Sequence, residues 1–223
     1  MITPFSIRGR AARVALLALS IGVAPLRAQD AMPFDAIADD ATRDALRTII
    51  ADAAARGLPT GAIVRKVREG IAKNAAPERI RSATASLANR LAVASTAIAH
   101  ARSSDELTAA ADALQVGIPV STLREMRQLW PQRALTVPLG VLSELVASGV
   151  SRPIATRRVR DLLIKGANTT QFASLGTSVQ GDIAAGLAPD ISMELRSKGV
   201  LRLIEQQTTG GATTTGSPIR PNR

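Results

Sequence analysis

The chain has no cysteine and no tyrosine, and it carries one tryptophan, one histidine and three phenylalanines. Each shortage removes a class of explanation. Without cysteine there is no disulfide framework, no thiolate nucleophile and no lipid-anchoring thiol, so the fold has to stand on packing alone. A single histidine, His100, cannot supply the three or four protein ligands that a zinc site needs, and HExxH is absent. A Ser-His-Asp site would have to use His100 as well, and the chain contains no G-x-S-x-G elbow, phosphate loop or dinucleotide fingerprint. Acid pairs such as Asp39-Asp40 fall in a segment expected to be mobile, where the geometry for acid–base work is hard to hold. The expectation is a non-enzymatic protein with no cofactor and no metal. The scarcity of aromatics also argues against single-strand nucleic-acid binding, which relies on stacking platforms.

What is abundant is alanine, leucine, isoleucine and valine. The hydrophobic share is 46% although aromatics make up only 2%. Alanine and leucine are strong helix formers, and small side chains let helices approach closely. The composition predicts an all-α fold.

The N-terminus is zoned. Arg8, Arg10 and Arg13 precede a nearly continuous apolar run over 14–26, followed by Leu26-Arg27-Ala28 and then Gln29 and Asp30. A basic start, a short apolar core and a small residue at the cut describe a secretory signal peptide. The apolar run of 13 residues is shorter than the ~20 that a bilayer-spanning helix needs. Residues 1–28 are therefore expected to be cleaved, and the mature protein is expected to be exported to the periplasm or the medium, with no transmembrane segment. Losing them removes four arginines and lowers the formal charge from +10 to +6. The basicity is moderate. Nucleic acid becomes an expected ligand only if the signal peptide is retained inside the cell.

Along the mature chain, residues 29–42 read as a flexible lead-in with Thr42 as a helix N-cap, and residues 43–207 read as a helical repeat domain. Leu46, Ile49, Ile50, Ala53 and Ala54 follow helical periodicity up to Gly57, which suits the left-handed position after a helix. A second helix over about 61–73 ends at Asn74, and Pro77 opens a third. Ser103 and Glu106 form a capping-box pair. Ser121 is a further N-cap candidate, and Trp130-Pro131 breaks the helix that follows it. Pro138 and Pro153 open two more helices, which stop at Gly149 and Gly166. One or two helices then carry Phe172 to Ile183, and short pieces carry Ile191, Leu195, Leu201 and Ile204. Residues 208–223, rich in Thr, Gly and Pro, read as a disordered tail.

A shift of 92 residues aligns Gly57 with Gly149, Arg65 with Arg157, Val67 with Val159, Arg68 with Arg160, Lys73 with Lys165 and Asn74 with Gly166. Looser copies begin at Gly117 and Gly186, so the starts at 57, 117, 149 and 186 are spaced by 60, 32 and 37 residues. Steps in the thirties suit a helix pair, and the longer first step holds an extra helix. A helix pair cannot bury its apolar stripe alone, so the expected architecture is a compact, solenoid-like stack of short helix pairs.

The repeat also presents a basic face twice, through Arg65, Arg68, Arg157 and Arg160. The sequence-level functional reading is an exported interaction or scaffold protein whose partner docks along the stacked pairs, oriented by these four arginines. The alternative is a cell-envelope polyanion binder for acidic glycans or lipid headgroups. The plainer explanation of the same charges is a solvated helix face with i, i+4 ion pairs, Glu69 with Lys73 and Asp161 with Lys165.

Overall fold

A computed structural model describes residues 33–210. The expected signal peptide, residues 1–28, and residues 211–223 of the expected tail lie outside the described residues. Within them the protein is all-helical: a short 3-10 helix, Pro33–Ala36, precedes nine α-helices. They are α1 Asp40–Ala55, α2 Thr60–Ala72, α3 Pro77–Ala97, α4 Ser104–Gln115, α5 Val120–Leu129, α6 Thr136–Ala147, α7 Arg152–Ile164, α8 Thr169–Ala184 and α9 Pro189–Gly210.

One local device makes most of the corners. At six junctions a residue with positive φ follows the helix: Gly57, Asn74, Gly117, Gly149, Gly166 and Gly186. Its N–H and that of the next residue fold back onto the last turn, as Gly57 donates to the Ala54 carbonyl and Leu58 to that of Ala53. This double bond pattern satisfies carbonyls that would otherwise be orphaned at the helix end. The residue after the turn is apolar, and Leu58, Ile118, Val150 and Ala167 are buried. The next helix starts three residues past the turn each time, so six corners share one geometry. Only Asn74 takes the left-handed position without being glycine at these corners, and its φ is 51°.

The repeat has exact structural boundaries. Adding 92 to the limits of α2 gives those of α7, and adding it to the first residue of α3 gives that of α8. The helices pack in two rows. In one, α3 lies against α1 and α4, α4 against α6, and α6 against α8; in the other, α5 lies against α7 and α7 against α9. Helix α2 packs on α1 and α3. Because α4 follows α3 within the same row, it is the extra helix that lengthens the first step of the repeat.

The core matches the composition. Leu46, Ile63, Leu91, Leu123, Leu139, Leu142 and Phe172 are fully buried, and so are the alanines Ala94, Ala110, Ala111, Ala113 and Ala155. Alanines at inter-helix positions replace large aromatics by bringing backbones together. Trp130 is the exception in size. It is buried, meets Phe172 edge-on at 5.8 Å, donates its indole N–H to the Leu163 carbonyl at 3.2 Å, and lies under the Arg133 guanidinium at 3.6 Å.

Several boundaries differ from the sequence reading. Helix α1 begins before Thr42: Asp39 is the N-cap and accepts the Thr42 N–H. The stretch read as a flexible lead-in is structured from residue 33, with Phe34 and Ile37 buried. Pro119, not Ser121, precedes α5, and Thr136 rather than Pro138 opens α6. Residues 189–210 form one helix through Gly199 rather than short pieces, so the first residues assigned to the tail are helical.

The Ser103 box is half as expected. Ser103 Oγ accepts the Glu106 N–H, but the Glu106 carboxylate does not return to the Ser103 backbone. It accepts the Arg102 N–H at 2.6 Å, the Leu135 N–H at 2.5 Å and the Arg127 guanidinium at 2.5 Å, and its side chain is fully buried. Arg127 also donates to the carbonyls of Trp130 and Arg133. The α3–α4 and α5–α6 junctions, which lack the glycine turn, are thus tied to one carboxylate. Removing it leaves the mostly buried Arg127 guanidinium without its counter-charge and two backbone donors without their acceptor. Glu106→Ala is expected to cost about 3–5 kcal/mol, because breaking one side of a buried pair leaves the other uncompensated. Urea unfolding followed by Trp130 fluorescence measures this, and a loss below about 1 kcal/mol, the scale of an exposed pair, would contradict the assigned role.

Candidate partner-binding surface

The four arginines read from the repeat sit where the periodicity put them, on α2 and α7, but they do not line one common groove. Arg65 and Arg68 are exposed on α2. Arg65 lines a cleft of about 200 Å³ with Lys66 and Glu69 of α2, Arg90 of α3, and Asp112 and Gln115 of α4. Glu69 is bracketed by Lys73 at 2.6 Å and Lys66 at 2.9 Å, and hydrogen bonds from these two ammonium groups, Lys73 foremost, hold its carboxyl down to about 2. Asp112 is pushed the other way: desolvation raises its carboxyl despite Arg90 and Lys66 nearby.

On α7 the same sequence positions meet different neighbours. Arg157 donates to Glu194 of α9 at 2.8 Å, and Arg158 bridges Glu194 and Asp161. Arg160 reaches Glu125 of α5 at 3.1 Å, and Lys165 reaches Glu205 of α9 at 3.1 Å. The expected Asp161–Lys165 pair is replaced: Asp161 turns to Arg158 and Lys165 crosses to α9. Its counterpart Glu69–Lys73 does form. The difference is a neighbour, since α7 lies between α5 and α9, which offer acids, whereas α2 packs on α1 and α3.

Arg157 and Arg160 do converge with a residue that the sequence reading missed. A groove of about 490 Å³ between the starts of α5 and α7 is lined by Gly117, Pro119, Thr122, Arg152, Thr156, Arg157 and Arg160, together with Pro153. None of these lining residues is acidic. The Arg152 guanidinium donates to the Gly117 carbonyl at 3.2 Å, which places it across the groove. Both helices start without a side-chain cap, so first-turn N–H groups add partial positive charge at this end. Asp190 moderates it from the α9 side by accepting the Ser151 N–H at 2.7 Å. Arg152 was not legible as a groove residue because α5 and α7 become neighbours only through the tertiary order of the rows.

The chain matches no protein-family model, no curated protein and no solved structure.

His100 is exposed and left-handed, with φ 62°, just beyond the end of α3. No group of three or more His, Cys, Asp or Glu side chains among the described residues could hold a metal ion. No helix among them is long and apolar enough to cross a membrane. What the arrangement offers chemically is charge-assisted hydrogen bonding by guanidinium groups beside proline and threonine, which suits carboxylates.

Glu194 fastens α7 to α9, and its carboxyl lies below the ordinary value of 4.5, chiefly through the Arg158 hydrogen bond and then that of Arg157. A depressed folded value means that the stabilisation is complete above the unfolded value and is lost as pH falls through the folded one. The protein is therefore expected to lose stability on acidification below about pH 4.5, and Glu194→Gln should flatten that part of the profile. Denaturant midpoints across this acid range check it; an unchanged slope in the variant would refute it.

Proposed function

We propose that the protein is an exported, non-enzymatic interaction protein whose α5–α7 groove docks an acidic segment of a partner. The observation that carries this reading is the groove itself, with Arg152, Arg157 and Arg160 among its lining residues and no acid. Planar guanidinium groups engage carboxylates in pairs of parallel hydrogen bonds, and Pro119 and Pro153 among the lining residues offer an extended chain apolar contact. Arg157 can serve a ligand without freeing Glu194, because Arg158 also holds that carboxylate. Arg65, in the separate α2 cleft, and Arg68, elsewhere on α2, become auxiliary in this reading rather than equal members of one surface. Export rests on the basic, apolar and small-residue zones of residues 1–28.

Two measurements test the proposal. Arg152→Gln with Arg157→Gln should weaken binding of a fluorescein-labelled oligoglutamate at least about tenfold, because each charge-assisted hydrogen bond contributes about 1.5–3 kcal/mol. Arg65→Gln with Arg68→Gln should change it by less than about twofold, and binding should fall steeply with added salt as exposed charges are screened. Equal affinity in the groove variant would sink the docking assignment. Mass spectrometry of the native N-terminus is expected to find a start near Gln29 in the envelope or medium. An intact Met1 in the cytoplasm would overturn export and make nucleic acid the first ligand to try.

A further inference from the structure

Among the described residues the stack ends at α9, and the face that α9 turns outward differs from the other solvated helix faces there. At 100° per residue, Ile191, Leu195, Lys198 and Arg202 fall within one narrow stripe. Ile191 and Leu195 are 59% and 58% exposed, and Leu187, just ahead of the helix, is 37% exposed. The opposite side is buried against the stack through Met193, Ser197 and Ile204. The acids of α9 lie along the edge of the stripe that adjoins α7 and are engaged there: Asp190 accepts the Ser151 N–H, Glu194 meets Arg157 and Arg158, and Glu205 meets Lys165. Lys198 and Arg202 are exposed and pair with no acid among the described residues. The outer stripe is thus apolar toward its start, and toward its end it carries two cations without an acid partner, Lys198 and Arg202, beside a Glu205 already engaged by Lys165.

We infer that this stripe is a docking surface for an acidic amphipathic helix of another protein, laid along α9 as α9 is laid along α7. The repeat supplies the argument. Helices α7 and α9 begin at Arg152 and Pro189, 37 residues apart, and that offset superposes Lys165 on Arg202. Lys165 is met by an acid on the helix that follows it in the row, Glu205 at 3.1 Å. Arg202 stands in the same place with no helix beyond it among the described residues. A partner that continues the row would bring a carboxylate to Arg202 and Lys198 and apolar anchors to Ile191 and Leu195, at the i, i+4 spacing of helix-in-groove recognition.

Charge decides among occupants. A second copy presenting the same stripe brings no unengaged acid to these cations, because the acids at its edge, Glu194 and Glu205, are held by Arg157, Arg158 and Lys165. The segments of this chain outside the described residues, 1–32 and 211–223, contain a single acid, Asp30. Neither supplies the complement that α9 itself gives to α7. This surface is separate from the α5–α7 groove, so the two assignments stand or fall independently.

The test uses fluorescence anisotropy with the mature protein and a labelled synthetic helix of about five turns, built of Ala with Leu at i, i+4 positions and Glu along the flanks. Its counterpart carries Lys in place of every Glu. The acidic peptide is expected to bind, and the lysine peptide to bind at least tenfold more weakly. Ile191→Ser with Leu195→Ser should cost at least tenfold, while Lys198→Glu with Arg202→Glu should reverse the preference between peptides. All four side chains are exposed, so circular dichroism should show unchanged helix content in both variants. Arg152→Gln with Arg157→Gln should leave affinity for the acidic peptide within twofold, which separates this surface from the groove. Failure of the acidic peptide to bind, equal binding of both peptides, or insensitivity to both α9 variants overturns the inference. So does a concentration-dependent doubling of mass abolished by I191S/L195S, which gives the face to a second copy. Binding to phosphatidylglycerol vesicles but not to the peptide gives it to a lipid surface instead.

Discussion

The buried carboxylate of Glu106 is the constraint on which the order of the helices depends. Six corners of this protein are made by one self-sufficient turn, which needs only a glycine or asparagine and an apolar residue after it. Repetition of that turn alone would alternate helices strictly between rows. The insertion of α4 breaks the alternation, and the two junctions around it, between α3 and α4 and between α5 and α6, have no such turn. Their backbone donors at Arg102 and Leu135 converge on Glu106 instead, with Arg127 neutralising its charge. A buried charge is tolerable only when paired and fully hydrogen-bonded, so this arrangement admits few alternatives. It sets where α5 and α6 leave the irregular region. Helix α5, held also by its packing on α3, then lies beside α7, where the arginine-lined groove forms.

Local chemistry was legible and tertiary chemistry was not. Gly57, Asn74, Gly117, Gly149, Gly166 and Gly186 could be read as helix stops because a left-handed residue has a short list of occupants. Pro77 could be read as a helix start because its missing N–H is free there. Glu106 shows the limit. The Ser-x-x-Glu spacing correctly marks the start of α4, yet the glutamate answers to residues up to 29 positions away, which no local spacing encodes. The continuity of α9 is the same lesson in reverse. The sequence reads as short pieces there, and Gly199 in a helix interior does cost roughly 1 kcal/mol relative to alanine. Met193, Ser197 and Ile204 are buried on both sides of it, and packing outweighs the local preference.

Equivalent residues diverge in role because their surroundings differ. Glu69–Lys73 and Asp161–Lys165 are the same motif, and only the first forms, because Lys165 has Glu205 of α9 within reach. Of the cross-helix pairs of α7, those of Arg160 and Lys165 are exposed and contribute little to stability individually, whereas Arg158–Glu194 is partly buried. What they do supply is discrimination of register, since sliding α9 along α7 would separate Glu194 from Arg158 and Glu205 from Lys165 together. Stability here comes from aliphatic burial and close approach of alanine-rich helices, and specificity comes from charge.

That division of labour bears on how such a protein can recognise anything. Binding hot spots are enriched in tryptophan, tyrosine and arginine. This chain has no tyrosine, and its one tryptophan is committed to the interior by Phe172, Leu163 and Arg133. Arginine is the remaining anchor type, and the groove concentrates Arg152, Arg157 and Arg160 at one place. Recognition through exposed guanidinium groups favours fast, electrostatically steered association over tight desolvated contact. A partner held this way is selected by its pattern of acids more than by its shape. The same logic that keeps α9 in register on α7 would then extend to whatever the protein binds, with the stack's internal code of cation against carboxylate reused at its surface.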